Sequence, residues 1–300
     1  MSHFLTQAEV VLMGHLLNPI WHSREQRRAR RGAASEKAVM RYLNRTLKAP
    51  SEAPALPAGD SARSVWTLWL QGMDQAPAIV QACVSSMQRQ LSAAVEVLDL
   101  ESVLQRISLP AYILDKWRAG KIRPAHFADI CRVELLYEYG GVWADSTAFF
   151  TADLPEWLWE APFFVYGAGH SLHGSYAFIQ NCFIRAQKGS LLLAAWREAI
   201  FQYWKQENSA VDYFVHQLLF KWAVQHTPGA AQAYADMPQL EQEPTHLLWF
   251  QKGALPYDKA QVQAICSQAL FQKTEYKSAL AKNPPAGSVA EWILNGAGHE

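Results

Sequence analysis

Residues 126–147 read HFADICRVELLYEYGGVWADST. Asp129 and Arg132 are three residues apart in a helix-like segment, so their side chains are neighbours on the helix surface. A Gly-Gly pair follows and leads into a short apolar run that ends at Asp145. In open α/β sheets, ligands bind outside the carboxyl ends of the strands. The order helix, turn, strand therefore predicts that these three polar side chains converge at such an edge.

The predicted helix is apolar on most of its surface, as buried helices are. Burying an acid and a guanidinium costs free energy unless each finds a partner. Two interpretations of Asp129 and Arg132 follow. The pair is either a structural ion pair that ties the helix to the core or part of a ligand-binding site, and these residues alone favour neither.

The same stretch resembles the central motif of the glycosyltransferases with a DXD-containing sugar-binding region, family 32 in the usual classification. The resemblance is strongest to the branch of bacterial capsular polysaccharide synthesis proteins, and it covers about residues 64–280. In that family an Asp, an Arg three residues later and a Tyr-Gly-Gly turn precede a DXD-type triplet. The matching residues here are Asp129, Arg132, Tyr139-Gly140-Gly141 and Asp145-Ser146-Thr147.

The resemblance implies a GT-A-type α/β fold, which is a Rossmann-like sheet with helices on both faces. It also implies that a hexose is moved, with retention of configuration, from a nucleotide sugar such as a UDP-hexose. The acceptor would be a saccharide or lipid-linked molecule in bacterial capsule or surface polysaccharide synthesis. Asp129 and Arg132 would grip the donor hexose, since carboxylates accept and guanidinium groups donate several directional hydrogen bonds. Asp145 would contact the ribose, the sugar or a metal-bound water, and it is a catalytic candidate.

Further candidates come from segments that resemble parts of the same family. Each has a structural alternative, such as a packed tryptophan, a surface lysine or a strand-end cap. Asp212, the second catalytic candidate, would orient the acceptor or stabilise positive charge, or it is simply an acid in the first turn of a helix. The donor-binding candidates are Trp66 and Trp69 at the base, Trp143 beside the donor, Asn181 on the sugar, and Lys273 and Lys277 on the diphosphate.

Metal binding is a separate question, because the triplet ends in Thr147 where the DXD motif has an Asp. That Asp is the direct ligand of Mg²⁺ or Mn²⁺ in the family, and a hydroxyl is a much poorer ligand for a hard cation. The candidate metal ligands are Asp145, Thr147 and His246. Two possibilities follow: weak Mn²⁺ binding through Asp145, or neutralisation of the diphosphate by cationic side chains. The same substitution motivates an alternative function, a catalytically inactive glycosyltransferase-like protein that binds a nucleotide or glycan.

Composition limits the class of protein. The chain has 300 residues, with 27 basic and 27 acidic side chains, so overall charge does not favour a nucleic-acid partner. Residues 22–48 are strongly basic and predict a helix that docks on anionic lipid or an acidic partner, or has a solvated face. The cysteines have no metal-ligand spacing and no apolar run reaches the roughly 20 residues that span a bilayer. We expect a cytoplasmic protein. If the basic helix docks on lipid, the protein would lie peripherally at the inner face of the cell membrane.

The order of elements predicts two parts: a helical extension and linker at residues 1–62, and a main domain at 63–300. The resemblance implies that this main domain is glycosyltransferase-like. The linker, residues 50–62, reads PSEAPALPAGDSA. Alternating strands and helices in the second part predict a parallel, doubly wound sheet. The predicted strands are 64–70, 93–98 and 176–186, and the predicted helices are 3–17, 22–48, 76–90, 100–107, 110–119, 189–207 and 209–225.

Overall fold

The computed structural model describes residues 35–50, 63–169 and 178–295. The predicted helix at 3–17, the first part of the helix at 22–48 and nearly all of the linker lie outside these residues. The predicted division of the chain at residue 62 stays a prediction.

The main sheet has five strands, and a separate small sheet has two. The strands are β1 (Ser64–Leu68), β2 (Ala94–Leu98), β3 (Gly141–Ala144), β4 (Ala148–Phe149), β5 (Phe163–Gly167), β6 (Ile179–Ala186) and β7 (Gln272–Lys273). The main sheet has the order β2-β1-β3-β6-β5, and β4 pairs with β7. β1 is parallel to β2 and β3, whereas β6 is antiparallel to β3 and β5. The α/β class is confirmed, and β6 is the strand that departs from the predicted parallel order.

Helices surround the sheet. They are α1 (residues 35–46), α2 (Ala78–Gln90), α3 (Leu100–Arg106), α4 (Ala111–Arg118), α5 (Pro124–Tyr139), α6 (Glu156–Glu160), α7 (Leu191–Gln206), α8 (Val215–His226), α9 (Ala230–Ala235), α10 (Lys259–Cys266), α11 (Ala279–Lys282) and α12 (Val289–Leu294). Two 3₁₀ helices (Met73–Gln75 and Glu243–His246) and a π-helical turn (Leu248–Lys252) complete the regular structure. Proline stands at the N-terminus of α2 and α5, where its missing N–H has no cost.

Both faces of the sheet are buried. Side chains alternate along β1 and β3, so successive residues pack into opposite cores. Trp66 and Trp143 pack into one core together with α5, α7 and α8. Val65 and Val142 pack into the opposite core, to which α2 contributes Met87. The predicted arrangement of helices on both faces is therefore observed.

Helix α1 packs against the same core. It buries Val39 and Leu43 in the cluster that also contains Phe201 of α7. Tyr42 donates a hydrogen bond to Glu207 just beyond α7. Among the described residues, the helices are all too short or too polar to cross a bilayer.

Candidate functional site

A glycine turn joins α5 to β3, the strand that leads to Asp145. Gly140 ends α5 with φ 69°, and Gly141 follows with φ 100°. A Cβ atom on Gly141 would lie 2.6 Å from the carbonyl oxygen of Ser64, so only glycine lets β3 approach β1 this closely. The four residues of β3 are all buried, and Asp145 follows at its carboxyl end.

Asp129, Arg132 and Asp145 form one ion-pair network. Nη2 of Arg132 lies 3.1 Å from Oδ1 of Asp129 and 3.3 Å from Oδ1 of Asp145. The guanidinium lies over the ring of Trp143, whose Nε1 donates to Oδ1 of Asp145 at 2.9 Å. The ion-pair interpretation is therefore confirmed, and the three residues meet at the edge of the sheet as predicted. Their role in ligand binding stays a prediction.

Asn181 on β6 extends this network. Its Nδ2 donates to Oδ1 of Asp129 at 2.9 Å, and its backbone oxygen accepts from Nη1 of Arg132. Nε2 of Gln217, on α8, donates to Oδ1 of Asn181 at 3.2 Å. The bond from Gln217 fixes which way the Asn181 amide points, so that the amino group faces Asp129.

The charges of the network stabilise one another. Burial disfavours a charged Asp129, but Arg132, His216 and His126 together outweigh this effect and lower the pKa of Asp129 to about 2. Burial also opposes the charge on Arg132, yet Asp145 and Asp129 raise the pKa of Arg132 above its usual value. The pair is therefore fully ionised at neutral pH.

Two stacked histidines lie beside Asp129. The rings of His126 and His216 are 5.3 Å apart, and these residues with Asp129 bring potential metal-ligand atoms within 4.8 Å of one another. The Arg132 guanidinium already pairs with Asp129, and Trp204 Nε1 donates to Nε2 of His216 at 3.1 Å. A cation there would face Arg132 directly, so this cluster does not fit a metal.

The triplet Asp145-Ser146-Thr147 forms the turn between β3 and β4. The N–H of Ala148 donates to the carbonyl oxygen of Asp145 at 2.8 Å. Pairing of β4 with β7 sets Lys273 opposite Ala148. Nζ of Lys273 lies 3.3 Å from Oδ2 of Asp145 and also donates to Oγ1 of Thr147.

The residues of the triplet do not fit the divalent cation of a DXD site. Oδ1 of Asp145 accepts from Trp143 and Arg132, and Oδ2 faces the Lys273 ammonium. Oγ1 of Thr147 accepts from the same ammonium. A divalent cation on these oxygens would lie beside two existing cations, which like-charge repulsion opposes.

These side chains line a cavity of about 480 Å³ at the carboxyl ends of β1 and β3. The walls combine aromatic and polar groups, as sites for small ligands do. The predicted site residues on the wall are Trp69, Asp129, Arg132, Trp143, Asp145, Thr147, Asn181, Lys273 and Lys277.

Three predicted site residues lie outside this cavity lining. Trp66 is buried, and its Nε1 donates to the carbonyl oxygen of Gly140 at 2.9 Å, so the ring packs within the core. His246 contacts Thr245 and stacks on the ring of Phe250, 5.4 Å away between centroids. Neither side chain lines the cavity, and the predicted roles of Trp66 in base binding and of His246 in metal binding stay predictions.

Asp212 is the third. The helix begins at Val215, not at Asp212, so this carboxylate precedes the first turn. Its Oδ1 accepts from the N–H of Phe214 at 2.8 Å, and its Oδ2 accepts from Ser35 of α1 at 3.0 Å. Asp212 therefore ties α1 to the start of α8, and the neighbouring Tyr213 lines the cavity in its place.

Several lining residues were not predicted. Tyr213 and Gln217 are four residues apart around the start of α8, a spacing that places side chains on one face of a helix. This helical spacing is the feature of the sequence that could have identified the two residues. Tyr276 lies between the two predicted lysines, and its ring meets that of Trp69 edge-on with centroids 5.1 Å apart.

Unpaired polar atoms concentrate at this cavity. Eight buried side-chain nitrogen or oxygen atoms of the described residues have no hydrogen-bond partner, and four belong to residues that line the cavity. Buried polar groups are normally paired, so such atoms call for an explanation such as a bound ligand. The four atoms are Trp69 Nε1, His126 Nδ1, Arg132 Nε and Gln217 Oε1.

Comparison with known proteins identifies the family. The profile of the family described as "Capsular polysaccharide synthesis protein" matches residues 18–289. The chain belongs to this family. The match covers the whole of the ion-pair network and the cavity lining.

Relatives of this family member carry glycosyltransferase names. Glycosyltransferase afumC of Aspergillus fumigatus is 31% identical over 190 residues, which are 58% of the chain and 49% of that protein. O-glycosyltransferase braB of Annulohypoxylon truncatum is 24% identical over 175 residues, which are 53% of the chain and 42% of that protein. The chain spans about half the length of the curated relatives it matches. A solved structure titled PaToxG Glycosyltransferase aligns at 12% identity and a TM-score of 0.39, over 89% of this chain and 95% of that one.

Proposed function

We propose that this protein is a glycosyltransferase that moves a hexose from a nucleotide sugar to a saccharide or lipid-linked acceptor. The observation that carries the proposal is the Asp129–Arg132–Asp145 network in the wall of a cavity with unpaired hydrogen-bonding atoms. A hexose has hydroxyl groups that both donate and accept, so it can satisfy such a wall. The names of the fungal relatives support the same reaction class.

The geometry suggests how the donor sugar is held. Oδ1 of Asp129 contacts Arg132 and Asn181. Among the described residues no hydrogen bond ends on Oδ2, and the ring nitrogen of His126 lies 3.6 Å from it. Oδ2 therefore has free capacity to accept a sugar hydroxyl. Nε of Arg132, a donor, and Oε1 of Gln217, an acceptor, are buried and unpaired in residues that line the same cavity.

The nucleotide would occupy the other part of the cavity. Trp69 follows the end of β1, and its ring with that of Tyr276 gives an aromatic wall on which a base can stack. Lys273 and Lys277 lie on the same wall and would face the diphosphate. Tyr213 is 69% exposed where it lines the cavity, which suits contact with an acceptor saccharide.

The family resemblance supports further proposals about the reaction and its setting. We propose retention of the anomeric configuration and a role in bacterial capsule or surface polysaccharide synthesis. We also propose a cytoplasmic protein, with peripheral membrane contact through basic residues 22–48. Vesicle co-sedimentation with and without anionic lipid, for the full chain and for a chain lacking residues 1–34, tests the membrane contact.

A panel of UDP- and GDP-hexoses tests the activity, with hydrolysis and transfer to saccharide acceptors both measured. We expect turnover with at least one donor and a loss of at least about 100-fold in Asp129→Asn, because the sugar loses its charged acceptor. Asp115→Asn, at an exposed position in α4, is the matched control. NMR of the first product gives its anomeric configuration. Absence of turnover with every donor would count against the proposal.

A second candidate function is a nucleotide- or glycan-binding protein without turnover. It is favoured by one observation: both carboxylates of the described cavity wall, Asp129 and Asp145, are held in ion pairs. Calorimetry distinguishes the two functions, because this candidate predicts nucleotide-sugar binding with no product after long incubation.

A further inference from the structure

The ammonium group of Lys273 occupies the position between the first and last residues of the DXD-type triplet. Nζ lies 3.3 Å from Oδ2 of Asp145 and donates to Oγ1 of Thr147. In a metal-binding triplet, side-chain oxygens at these two positions would face the cation. Here they face a single positive charge that belongs to the chain itself.

The backbone holds Lys273 in this position. β4 and β7 pair with Ala148 opposite Lys273, immediately after the triplet. The next residue, Thr274, donates from its N–H and its Oγ1 to the carbonyl oxygen of Thr147 at 2.8 and 2.9 Å. The side chain of Lys273 is only 19% exposed. The fold therefore holds the ammonium of Lys273 within the site, and this side chain is not a solvated surface lysine.

The local charges balance without a metal. Asp129 and Asp145 carry two negative charges, and Arg132 and Lys273 carry two positive ones. Burial opposes the charge on Lys273, but Asp145 together with Cys182 and Cys83 outweighs this effect and raises the pKa of the ammonium, which stays protonated at neutral pH. An ammonium has three N–H donors, and Asp145 and Thr147 use two of them. One donor remains for a ligand oxygen.

We propose that Lys273 replaces the divalent cation of the DXD site and binds the diphosphate of the nucleotide directly, with Lys277 as the second cation. This inference rests on the proposed function. In the transfer step, the bond between the anomeric carbon and the diphosphate oxygen breaks and its electron pair stays on that oxygen. The acceptor hydroxyl oxygen forms the new bond, and its proton passes to the departing diphosphate. Lys273 stabilises the charge that develops on the diphosphate.

The first test measures the metal alone and needs no nucleotide. Electron paramagnetic resonance of MnCl₂ reports free Mn²⁺ in the presence of the protein. We expect no binding by the wild type, and binding by a Thr147→Asp/Lys273→Met variant, which restores an acid and removes the ammonium. Tight, stoichiometric Mn²⁺ binding by the wild type would overturn the inference.

The second test measures the affinity for UDP and GDP by calorimetry, in EDTA and in MnCl₂. We expect the wild-type Kd to differ by less than about twofold between the two conditions, which is under about 0.5 kcal/mol. Lys273→Met should raise the Kd in EDTA by at least about tenfold, since a charge-assisted hydrogen bond is lost. Lys282→Met, an exposed lysine in α11, is the control. A wild-type protein that binds these nucleotides only with Mn²⁺ would overturn the inference.

The two proposals fail in different ways. If neither nucleotide binds in either condition, the proposed function fails, and the Mn²⁺ measurement still decides whether the triplet holds a metal. If nucleotides bind and sugar is transferred only with Mn²⁺, the proposed function stands and the role of Lys273 is refuted. Thermal melts of each variant separate a loss of binding from a loss of folding.

Discussion

The guanidinium of Arg132 lies 3.3 Å from the carboxylate of Asp145, and this contact joins the middle of α5 to the carboxyl end of β3. The side chain of Arg132 is 7% exposed, so water screens its charge very little. A charge this deeply buried is costly unless carboxylates pair with it. The contact therefore stabilises the fold at the same point where it shapes the wall of the cavity.

Replacing Arg132 with lysine should damage both activity and stability. A lysine has no planar fork, so it cannot contact Asp129, Asp145 and the backbone of Asn181 together. We expect turnover to fall by at least about 100-fold and the free energy of unfolding by roughly 3 kcal/mol. Urea unfolding and donor turnover measure the two effects, with Arg118→Lys at an exposed position as control. If Arg132→Lys turns over the donor at the wild-type rate, a role of Arg132 in binding the donor sugar is refuted.

Gln217→Leu tests a positioning residue. Gln217 fixes the orientation of the Asn181 amide, which in turn contacts Asp129. We expect the donor KM to rise about three- to tenfold with a smaller change in kcat, as for the loss of one hydrogen bond in the ground state. Gln232→Leu, exposed on α9, is the control. If Gln217→Leu lowers only the melting temperature and leaves KM unchanged, the role of this glutamine is purely structural.

Tyr276→Ala tests the aromatic wall. Stacking of a base on an aromatic ring contributes about 1–3 kcal/mol, so the Kd for the nucleoside diphosphate should rise by roughly 5- to 100-fold. Trp69→Leu should have a similar effect, because the two rings form one wall. Phe250→Ala is the control, since this ring is 44% exposed and is not part of the cavity lining. Equal affinities in all four proteins would place the base elsewhere.

The part of the site that could be predicted is local in sequence. Asp129 and Arg132 meet through helical spacing, and the Gly140-Gly141 turn feeds directly into the strand that ends at Asp145. These relationships depend on helix periodicity and on chain order alone. They could therefore be predicted before any tertiary contact was known.

The rest of the site depends on contacts between residues that are distant in sequence, and on the residues at which helices and strands begin and end. Lys273 reaches Asp145 across 128 residues through a two-residue strand, which no local pattern indicates. The position of Asp212 was mispredicted because α8 begins at Val215, six residues after the predicted start of the helix at residue 209. Asp212 therefore precedes the helix, and its carboxylate accepts a hydrogen bond from Ser35 of α1. Trp66 and Trp69 lie in the same predicted strand, and the sequence does not distinguish their roles. In the structure β1 ends at Leu68, so Trp66 lies within the strand with a buried ring, whereas Trp69 follows the strand and lines the cavity.

His216 should make stability depend on pH. Burial lowers the pKa of this imidazole to about 3, from an ordinary value of about 6.5. Below pH 6.5 the unfolded chain binds a proton that the folded chain does not, so the stabilisation present above pH 6.5 is lost as the pH falls towards 3. The full loss is roughly 3–5 kcal/mol.

Urea unfolding between pH 8 and pH 4 measures this slope. His216→Gln keeps an oxygen that can accept from Trp204, and it should flatten the dependence below pH 6.5. At pH 8 the imidazole is neutral in both states, so any difference there reports packing alone. An unchanged slope in the variant would assign the acid sensitivity to other groups.

The most direct test of the central claim is a crystal structure with an intact UDP- or GDP-hexose bound. We expect the hexose hydroxyls within about 3 Å of Asp129 and Arg132, a usual hydrogen-bond distance, and the diphosphate at Lys273. If the donor at saturation binds elsewhere and makes no contact with the Asp129–Arg132–Asp145 network, donor binding at this site is refuted.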